Sequence, residues 1–288
     1  MKRLLLKSIP ALALIISGIL SAQDIADKKE NDTLFFDDFS ASSLDREKWN
    51  VVGTDFWVNN EQQVYVDSTA TIFPVKGAKA KGVENALILK AHYSPNYINY
   101  RDNDFDFISG RINTRDKVMF TYGTAMARMK LPEGSGFWPA FWALGGGEWP
   151  DTGEIDIMEY VGETDWIGVA MHGPNYSGET PLVNKYFFPE GEDVTDWHVY
   201  SVEWTAEELN FKVDDRLIYR VTKPMVEHYG EWAFDNPKYL ILNLALGGAY
   251  PYKTNGIDKP YNGLPESTVK LIKEGKAEVL IDWVLITK

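Results

Sequence analysis

Short apolar runs, separated by Gly, Pro, Asn and Asp, follow one another along almost the whole chain. They are rich in strand-forming Val, Ile, Tyr, Phe and Trp, and no long stretch has helical periodicity. Asp214–Asp215 has the composition of a hairpin turn. Many short strands in one domain predict a sandwich of two antiparallel sheets. The runs are Leu34–Phe36, Ala86–Ala91, Phe107–Asn113, Val118–Met129, Trp138–Leu144, Ile167–His172, Trp197–Trp204, Asn210–Val213, Leu217–Val221, Tyr239–Leu246 and Val279–Ile286.

The N-terminus has the pattern of a secretory signal. Residues 1–22 combine basic Lys2, Arg3 and Lys7 with an apolar core and a small-residue cleavage site, and the apolar run is too short for a membrane span. We therefore expect residues 23–33 to be a flexible lead and residues 34–288 to be one folded domain. The protein should be a secreted or periplasmic monomer, with no membrane span once the signal is removed. Two short helices are predicted, one after Pro224 and one from Pro265 through Ile272.

Charge and cysteine content exclude several classes of function. The chain has no Cys, so it has neither disulfides nor thiol chemistry. Its net charge is −13, and loss of the three basic residues of the signal would make it −16. Such a surface repels polyanions, which argues against nucleic acid and heavily sulfated polysaccharide as partners and favours a neutral substrate.

One strand-like stretch, Gly153–Val161, carries three carboxylates in an otherwise apolar sequence. Side chains alternate along a strand, so Glu154 and Asp156 share a face. Glu159 lies at an odd offset from Glu154, and a regular strand would send it into the opposite, buried face. A β-bulge with one extra residue would return it to the first face, and Met158 is the predicted extra residue.

The predicted spacing suits a definite chemistry. With the bulge, Glu154 and Glu159 are about four strand steps apart, or roughly 13 Å between Cα atoms. Side chains that lean together could bring the carboxyl groups to about 5 Å, the separation found in retaining glycosidases. Taken alone, the nine residues fit a solvated polar strand face equally well.

Aromatic residues and a histidine flank this stretch. Trp138 and Trp142 are four residues apart and would face the same side of a strand, where indole rings can stack on sugar rings. Either could be a core residue, but next to three acids we expect at least one to be a sugar platform. His172 ends a run that should pair with the acidic strand, and it could bond a substrate hydroxyl or Glu154. A structural histidine is the alternative.

This region resembles glycoside hydrolase family sixteen, in the bulge-containing branch that includes laminarinases (endo-1,3-β-glucanases). The resemblance lies in G-E-I-D-I-M-E-Y-V-G, with W-P-A-F-W before it and M-H-G-P after it. Further landmarks follow in family order: F-F-D-D-F near Asp38, S-G-R-I-N-T at Ser109–Thr114, W-H-V-Y-S-V-E-W at Trp197–Trp204, L-N-L-A-L-G-G at Leu242–Gly248 and the closing I-D-W-V. The resemblance implies an all-β jelly roll with a substrate cleft across the concave sheet.

The resemblance also implies a role for each acid. Glu154 is the expected nucleophile that forms a glycosyl-enzyme, and Glu159 is the expected general acid and base. Asp156 would hydrogen-bond the nucleophile and tune the pKa of the coupled group. The positions that match the glycone side of the cleft are Asn59, Arg111, Trp138, Trp142, His172 and Asn243. For three of them simpler roles compete: turn capping by Asn59, a surface ion pair of Arg111 and a strand-end hydrogen bond of Asn243.

Many family members carry a structural calcium away from the chemistry. Asp38 and Asp282 match positions near that site, although two oxygen donors are far fewer than the six to eight ligands that Ca²⁺ takes. We expect no cofactor in catalysis.

The expected function is hydrolysis of β-1,3-glucan or mixed-linkage β-1,3/1,4-glucan by a secreted retaining endo-glycosidase. Three alternatives stay open: a hydrolase of an algal galactan such as agarose, porphyran or carrageenan, a transglycosylase, and a carbohydrate-binding sandwich without activity. The sequence departs from the family at Met126, where many laminarinases have Glu, and in the long segment Ala249–Glu266. These departures leave the exact glucan open.

Overall fold

The computed structural model describes residues 32–54, 56–99 and 103–288. The predicted signal in residues 1–22 and most of the lead in residues 23–33 lie outside this part, and the first strand begins at Thr33. Within the described ranges, no helix is both long and apolar enough to cross a bilayer.

Strands dominate the described residues, as the succession of apolar runs predicts. Their bounds are β1 Thr33–Asp37, β2 Asn50–Val51, β3 Gln63–Tyr65, β4 Ile72–Lys76, β5 Asn85–Lys90, β6 His92–Ile98, β7 Asp104–Ser109, β8 Arg111–Asn113, β9 Gly123–Lys130, β10 Phe137–Gly145, β11 Glu154–Glu159, β12 Trp166–His172, β13 Val183–Phe187, β14 His198–Trp204, β15 Glu208–Val213, β16 Arg216–Thr222, β17 Lys238–Leu246 and β18 Glu278–Thr287. The predicted hairpin turn joins β15 to β16, with positive φ at both Asp214 and Asp215.

Two large antiparallel sheets form the predicted sandwich. The acid sheet, which contains the acidic strand β11, has the order β13-β12-β11-β10-β17-β8-β2. The opposite sheet has the order β16-β15-β14-β9-β18-β5-β4, and β1 also pairs with β18. A small third sheet, β3-β7-β6, contains the parallel pair β3 and β7.

The core lies between the two large sheets. It draws Ile155 and Leu244 from the acid sheet and Ala127 and Ile281 from the opposite sheet, all almost fully buried. Each buried Leu or Ile contributes about 1.5–3 kcal/mol relative to an exposed side chain. The other face of the acid sheet is therefore free to carry a cleft.

Both predicted helices are present, as α1 Lys223–Glu227 and α3 Glu266–Lys273. A third helix, α2 Ala249–Asn255, and the 3₁₀ helix Gly77–Ala80 were not predicted. Five strands were also missed: β2, β3, β4, β6 and β13. Two of them, β4 and β6, contain a proline, and both lie at a sheet edge where a missing N–H is tolerated.

The predicted single strand Phe107–Asn113 is instead two strands, β7 and β8, which belong to different sheets. They separate at Gly110, where a Cβ would lie 2.7 Å from the Thr71 carbonyl oxygen. The chain changes sheets at a residue that only glycine can occupy without a clash.

Candidate active site

The bulge that the odd offset predicts is present in β11. Its pairing with β12 gains one residue between Asp156 and Glu159, and the register with β10 shifts at the same place. The extra residue is Ile157, which has no partner in β10, whereas Met158 pairs with Phe141. The prediction of Met158 as the extra residue was therefore wrong by one position. Along β10 the acids pair with Leu144 (Glu154), Trp142 (Asp156) and Ala140 (Glu159).

Because of the bulge, the apolar and the acidic side chains of β11 lie on opposite faces of the sheet. Ile155, Ile157 and Met158 are buried in the core between the sheets. Glu154, Asp156 and Glu159 all line one cleft of about 670 Å³. The pairing with β10 places Glu154 and Glu159 four steps apart, as the sequence predicts.

Asp156 is buried, and Glu154 and Glu159 are partly buried; none of the three has a lysine or arginine ion pair among the described residues. Burial raises the pKa of Glu154 to about 8, and the charge of Asp156 adds to this effect. Burial likewise raises the pKa of Asp156 to about 8. The pKa of Glu159 also rises to about 8, through burial and then the charge of Asp156. Coupled carboxylates of this kind share protons near neutral pH, so that one can be protonated while another is ionised.

His172 and Trp149 surround Glu154. His172 pairs with Glu154 across β11 and β12, and its Nε2 lies 3.9 Å from Glu154 Oε1 and 3.3 Å from Asp156 Oδ2. The electrostatic interaction with His172 and a hydrogen bond from Trp149 both lower the pKa of Glu154, against the larger effect of burial. These contacts favour the ionised form of Glu154.

Glu159 lies under two aromatic side chains. Trp138 Nε1 donates a hydrogen bond to Glu159 Oε1 at 3.0 Å. The Tyr250 ring packs edge-on against Trp138, with 5.7 Å between ring centroids. The negative charge of Glu159 helps to raise the pKa of Tyr250, after burial. This aromatic cover keeps water from one side of Glu159.

Most of the residues predicted to bind substrate lie along the same cleft. Asn59, Arg111, Trp138, Trp142 and Asn243 line it together with the acids, whereas His172 lies beside Glu154 and Asp156.

Arg111 and Asn243 lie on strands of the acid sheet. Their surroundings do not match the simpler roles considered for them, a surface ion pair for Arg111 and a strand-end hydrogen bond for Asn243. The guanidinium of Arg111 lies between the rings of Phe56 and Trp142, at 3.9 Å and 4.9 Å from their centroids, and its Nε has no hydrogen-bond partner among the described residues. Asn243 Oδ1 accepts a hydrogen bond from Trp142 Nε1 at 2.8 Å. Both side chains are nearly buried, so they offer preorganised donors to a ligand in the cleft.

Asn59 enters the cleft from a loop. Its backbone is left-handed, with φ of 55°, and its carbonyl oxygen accepts a hydrogen bond from the N–H of Ala249 at 2.8 Å. The segment Ala249–Glu266 therefore supports the loop that carries Asn59.

The sequence interpretation missed three neighbours of the site. Glu61 is buried in the cleft wall, and the charge of Arg111 lowers its pKa against the larger effect of burial. Trp149 lies in the turn before β11. Its closeness to the acidic motif in the sequence could have been used to predict that it belongs to the site. Tyr250 comes from α2, about 90 positions after Glu159, and no local pattern links the two.

The two predicted calcium ligands, Asp38 and Asp282, lie near each other: burial raises the pKa of Asp282, and the charge of Asp38 adds to this effect. However, Asp282 Oδ2 already accepts a hydrogen bond from Arg128 Nη1 at 2.8 Å. Among the described His, Asp and Glu side chains, these two have no third partner that completes a metal site. The pair does not by itself form the ligand set that Ca²⁺ requires. Glu154, Asp156 and His172 place ligand atoms within 4.8 Å of one another, and they belong to the acid cluster.

The chain is similar to proteins of known activity and structure. The sequence model of Glycosyl hydrolases family 16 matches residues 57–260, which include β11 and most of the residues that line the cleft. A β-glucanase from Rhodothermus marinus is 35% identical over 267 residues, covering 87% of this chain and 88% of that protein. An endo-β-1,3-glucanase structure from Pyrococcus furiosus has a TM-score of 0.75 and 33% identity, covering 89% of this chain and 94% of that one. The laminarinase catalytic domain from Thermotoga maritima has a TM-score of 0.73 and 31% identity, covering 89% and 97%. The predicted jelly-roll fold is confirmed.

Proposed function

Because this chain belongs to family 16 of the glycosyl hydrolases, and is thus a glycoside hydrolase, we propose that it cleaves internal β-1,3 bonds of a neutral glucan. We infer a retaining mechanism, with a glycosyl-enzyme on Glu154. The observation that carries the proposal is the bulge in β11, which brings three carboxylates without a lysine or arginine partner among the described residues into one cleft. A binding module would have no use for this arrangement, because the mutual repulsion of the acids costs stability.

In the first step, ionised Glu154 attacks the anomeric carbon of the glucosyl unit on the glycone side. Protonated Glu159 gives its proton to the leaving oxygen as the glycosidic bond breaks. The raised pKa of Glu159 supports this role, since it keeps the proton in place at neutral pH. The contacts of His172 and Trp149 support the anionic state of Glu154.

In the second step, Glu159 accepts a proton from water, which attacks the anomeric carbon and releases Glu154. Two inversions leave the configuration of the sugar unchanged. Two carboxyl groups supply all the chemistry of this route, so it requires no cofactor. Asp156 lies between the two glutamates along β11, and its charge couples their protonation states.

The cleft supports a neutral sugar polymer as the substrate. Trp138 and Trp142 offer ring surfaces, and Arg111 and Asn243 offer polar groups that bond hydroxyls. The acids and the overall net charge of −13 disfavour sulfated chains. We further propose that the enzyme acts outside the cytoplasm, in keeping with the signal pattern of residues 1–22.

Product analysis tests this proposal directly. The purified protein is incubated with laminarin, lichenan, agarose and carrageenan, and the products are identified by mass, linkage and initial anomeric configuration. We expect β-configured oligosaccharides from laminarin, with cleavage inside the chain. Release of the α-anomer would refute the retaining mechanism, and activity on the galactans alone would refute the glucan assignment.

A further inference from the structure

A lysine is completely buried at the end of the core, close to where the acidic strand begins. Lys238 is the first residue of β17, has no exposed surface and pairs with Gly145 across β10 and β17. Its Nζ lies 5.7 Å from the ring centroid of Trp204 and 5.3 Å from that of Phe234. Burial of an ammonium group is costly unless other groups bond it, so its hydrogen bonds explain its place.

The three N–H groups of the Lys238 ammonium match three oxygen acceptors. Nζ donates to the carbonyl oxygens of Thr152 at 2.7 Å and Ala233 at 3.0 Å, and to Asn236 Oδ1 at 3.1 Å. An ammonium has three donors, whereas the neutral amine has only two. Burial lowers the pKa of Lys238 to about 7, against the charge of Asp235. The full set of three hydrogen bonds therefore belongs to the protein below that pH.

Thr152 closes the segment that leads into β11. Its Oγ1 accepts a hydrogen bond from the N–H of Gly147 at 3.1 Å, and its own N–H donates to the carbonyl oxygen of Glu148 at 2.8 Å. Residues 146–153, called the Trp149 turn, therefore fold back on Thr152. Lys238 bonds the carbonyl oxygen of this same residue, so the turn is tied to β17.

The Trp149 turn acts on Glu154 from two directions. Trp149 lines the cleft, and its hydrogen bond lowers the pKa of Glu154. Gly153, directly before Glu154, has φ of 72°, and a Cβ there would lie 2.3 Å from the carbonyl oxygen of Ala233. Lys238 bonds that carbonyl oxygen as well, so it holds both sides of the contact from which β11 begins.

Resting on the function proposed above, we propose that Lys238 is a positioning residue for the nucleophile. Its three hydrogen bonds fix the Trp149 turn, and the turn sets the orientation of Trp149 beside Glu154. Lys238 itself does not contact the substrate, because its Nζ lies near Trp204 of the opposite sheet, whereas the acids line the cleft. An apolar side chain could not replace it, since the carbonyl groups would be left buried without donors.

The test follows the acid limb of kcat/KM on laminarin between pH 4 and 7, where Glu154 takes up a proton while Lys238 keeps its own. Lys238→Met keeps a long unbranched side chain and removes all three donors. We expect kcat/KM to fall by at least about tenfold, because the nucleophile is no longer aligned. The acid limb should also move up by roughly half a pH unit, because Glu154 loses the bond that lowers its pKa. Trp149→Phe should move the limb in the same direction.

A double variant separates this role from a merely structural one. If Lys238 acts through Trp149, Lys238→Met combined with Trp149→Phe should move the acid limb no further than either change alone. The other groups that act on Glu154 are the same in every variant: Asp156, Glu159 and His172. Additive shifts, or a loss of stability with the limb unmoved, would overturn the proposal.

Two further variants serve as controls. Lys90 in the opposite sheet is partly buried and bonds Glu278 Oε1 at 2.8 Å, so Lys90→Met should lower Tm and leave the acid limb in place. A shift of the limb in Lys90→Met would mean that any destabilisation moves it, which would count against Lys238. Asn236→Ala removes one acceptor and should shift the limb less than Lys238→Met does. If Lys238→Met does not fold, an unmoved limb in Asn236→Ala would refute the role of Lys238.

Hydrogen exchange of the Trp149 turn gives a measurement that does not depend on activity. Exchange of the amides of residues 146–153 should be several-fold faster in Lys238→Met than in the wild type, and unchanged in Lys90→Met. Equal exchange in Lys238→Met and the wild type would contradict the anchoring of the turn. A wild type that cleaves no glucan would instead refute the proposed function.

Discussion

Glu278 in the opposite sheet and the two glutamates of the acid sheet are all partly buried, but their surroundings differ. In the opposite sheet, Glu278 of β18 pairs with Lys90 at 2.8 Å and with Lys81 at 3.1 Å. These hydrogen bonds and charges lower the pKa of Glu278, even though burial opposes them. In the acid sheet, burial raises the pKa of Glu154 and Glu159 to about 8, and no lysine or arginine pairs with either among the described residues.

Glu278, which is paired with lysines, stabilises the fold, whereas Glu154 and Glu159, which lack such partners, are available for chemistry. A carboxylate with two ammonium partners stays ionised and has no free proton to give. A cleft carboxylate without such partners, such as Glu159, can hold a proton near neutral pH, at a cost in stability. Substitutions in the two sheets should therefore change different quantities.

The largest effect is expected for Glu154→Gln, which removes the nucleophile but keeps the shape of the side chain. Hydrolysis of laminarin should fall by at least about 10³-fold, because no glycosyl-enzyme can form. The matched change in the opposite sheet, Glu278→Gln, should leave the rate within a factor of about two. Reducing-sugar release measures both variants, and full activity of Glu154→Gln would show that the nucleophile is another residue.

Glu159→Gln should be the next most severe. Loss of the general acid should slow hydrolysis of laminarin by about 10²–10⁴-fold. A glycoside with a 2,4-dinitrophenyl leaving group needs no proton donation, so its glycosylation step should be much less affected. Stopped-flow release of dinitrophenol separates the two cases, and equal losses on both substrates would contradict the role of Glu159.

Asp156→Asn should move the pH profile rather than abolish activity. The charge of Asp156 raises the pKa of Glu159, so its removal should lower that pKa. The alkaline limb of kcat/KM, where Glu159 loses its proton, should then shift by about one unit to lower pH. A shift to higher pH would mean that Asp156 does not act on Glu159 through its charge.

The smallest effects are on stability, where Glu159→Gln should stabilise the fold and Glu278→Gln should destabilise it. The pKa of Glu159 is about 8 in the folded protein against an ordinary 4.5, so its ionisation destabilises the fold as pH rises through that window. Glu159→Gln should therefore raise Tm at pH 8, by roughly 2–4 °C per kcal/mol relieved, and change it little at pH 4.

Glu278 has a lowered pKa, so its contribution is present above its ordinary pKa of 4.5 and is lost as pH falls through the lower value in the folded state. Glu278→Gln should cost about 0.5–1 kcal/mol at pH 7 and almost nothing at low pH. Calorimetric scans between pH 3 and 9 measure both variants. If both variants were stabilised, or both destabilised, relative to the wild type, the contrast between the two sheets would be contradicted.

Local pattern alone was enough to predict most strands, two helices, the hairpin turn and the bulge in β11. Alternation of side chains has a period of two, so an acid at an odd offset requires an extra residue wherever all acids share one face. The family resemblance, read from the same motif, also indicated the jelly roll and the residues along the cleft.

Only the tertiary structure decided which residue forms the bulge and which distant residues surround the acids. Against β10, Ile157 rather than Met158 is unpaired, because the register depends on the sequence of β10, which lies outside the motif. Tyr250 reaches the site through α2, and no sequence spacing encodes such a contact. The pKa values of the acids also follow from burial by the whole sandwich, since the same carboxylates in an isolated strand would stay in water.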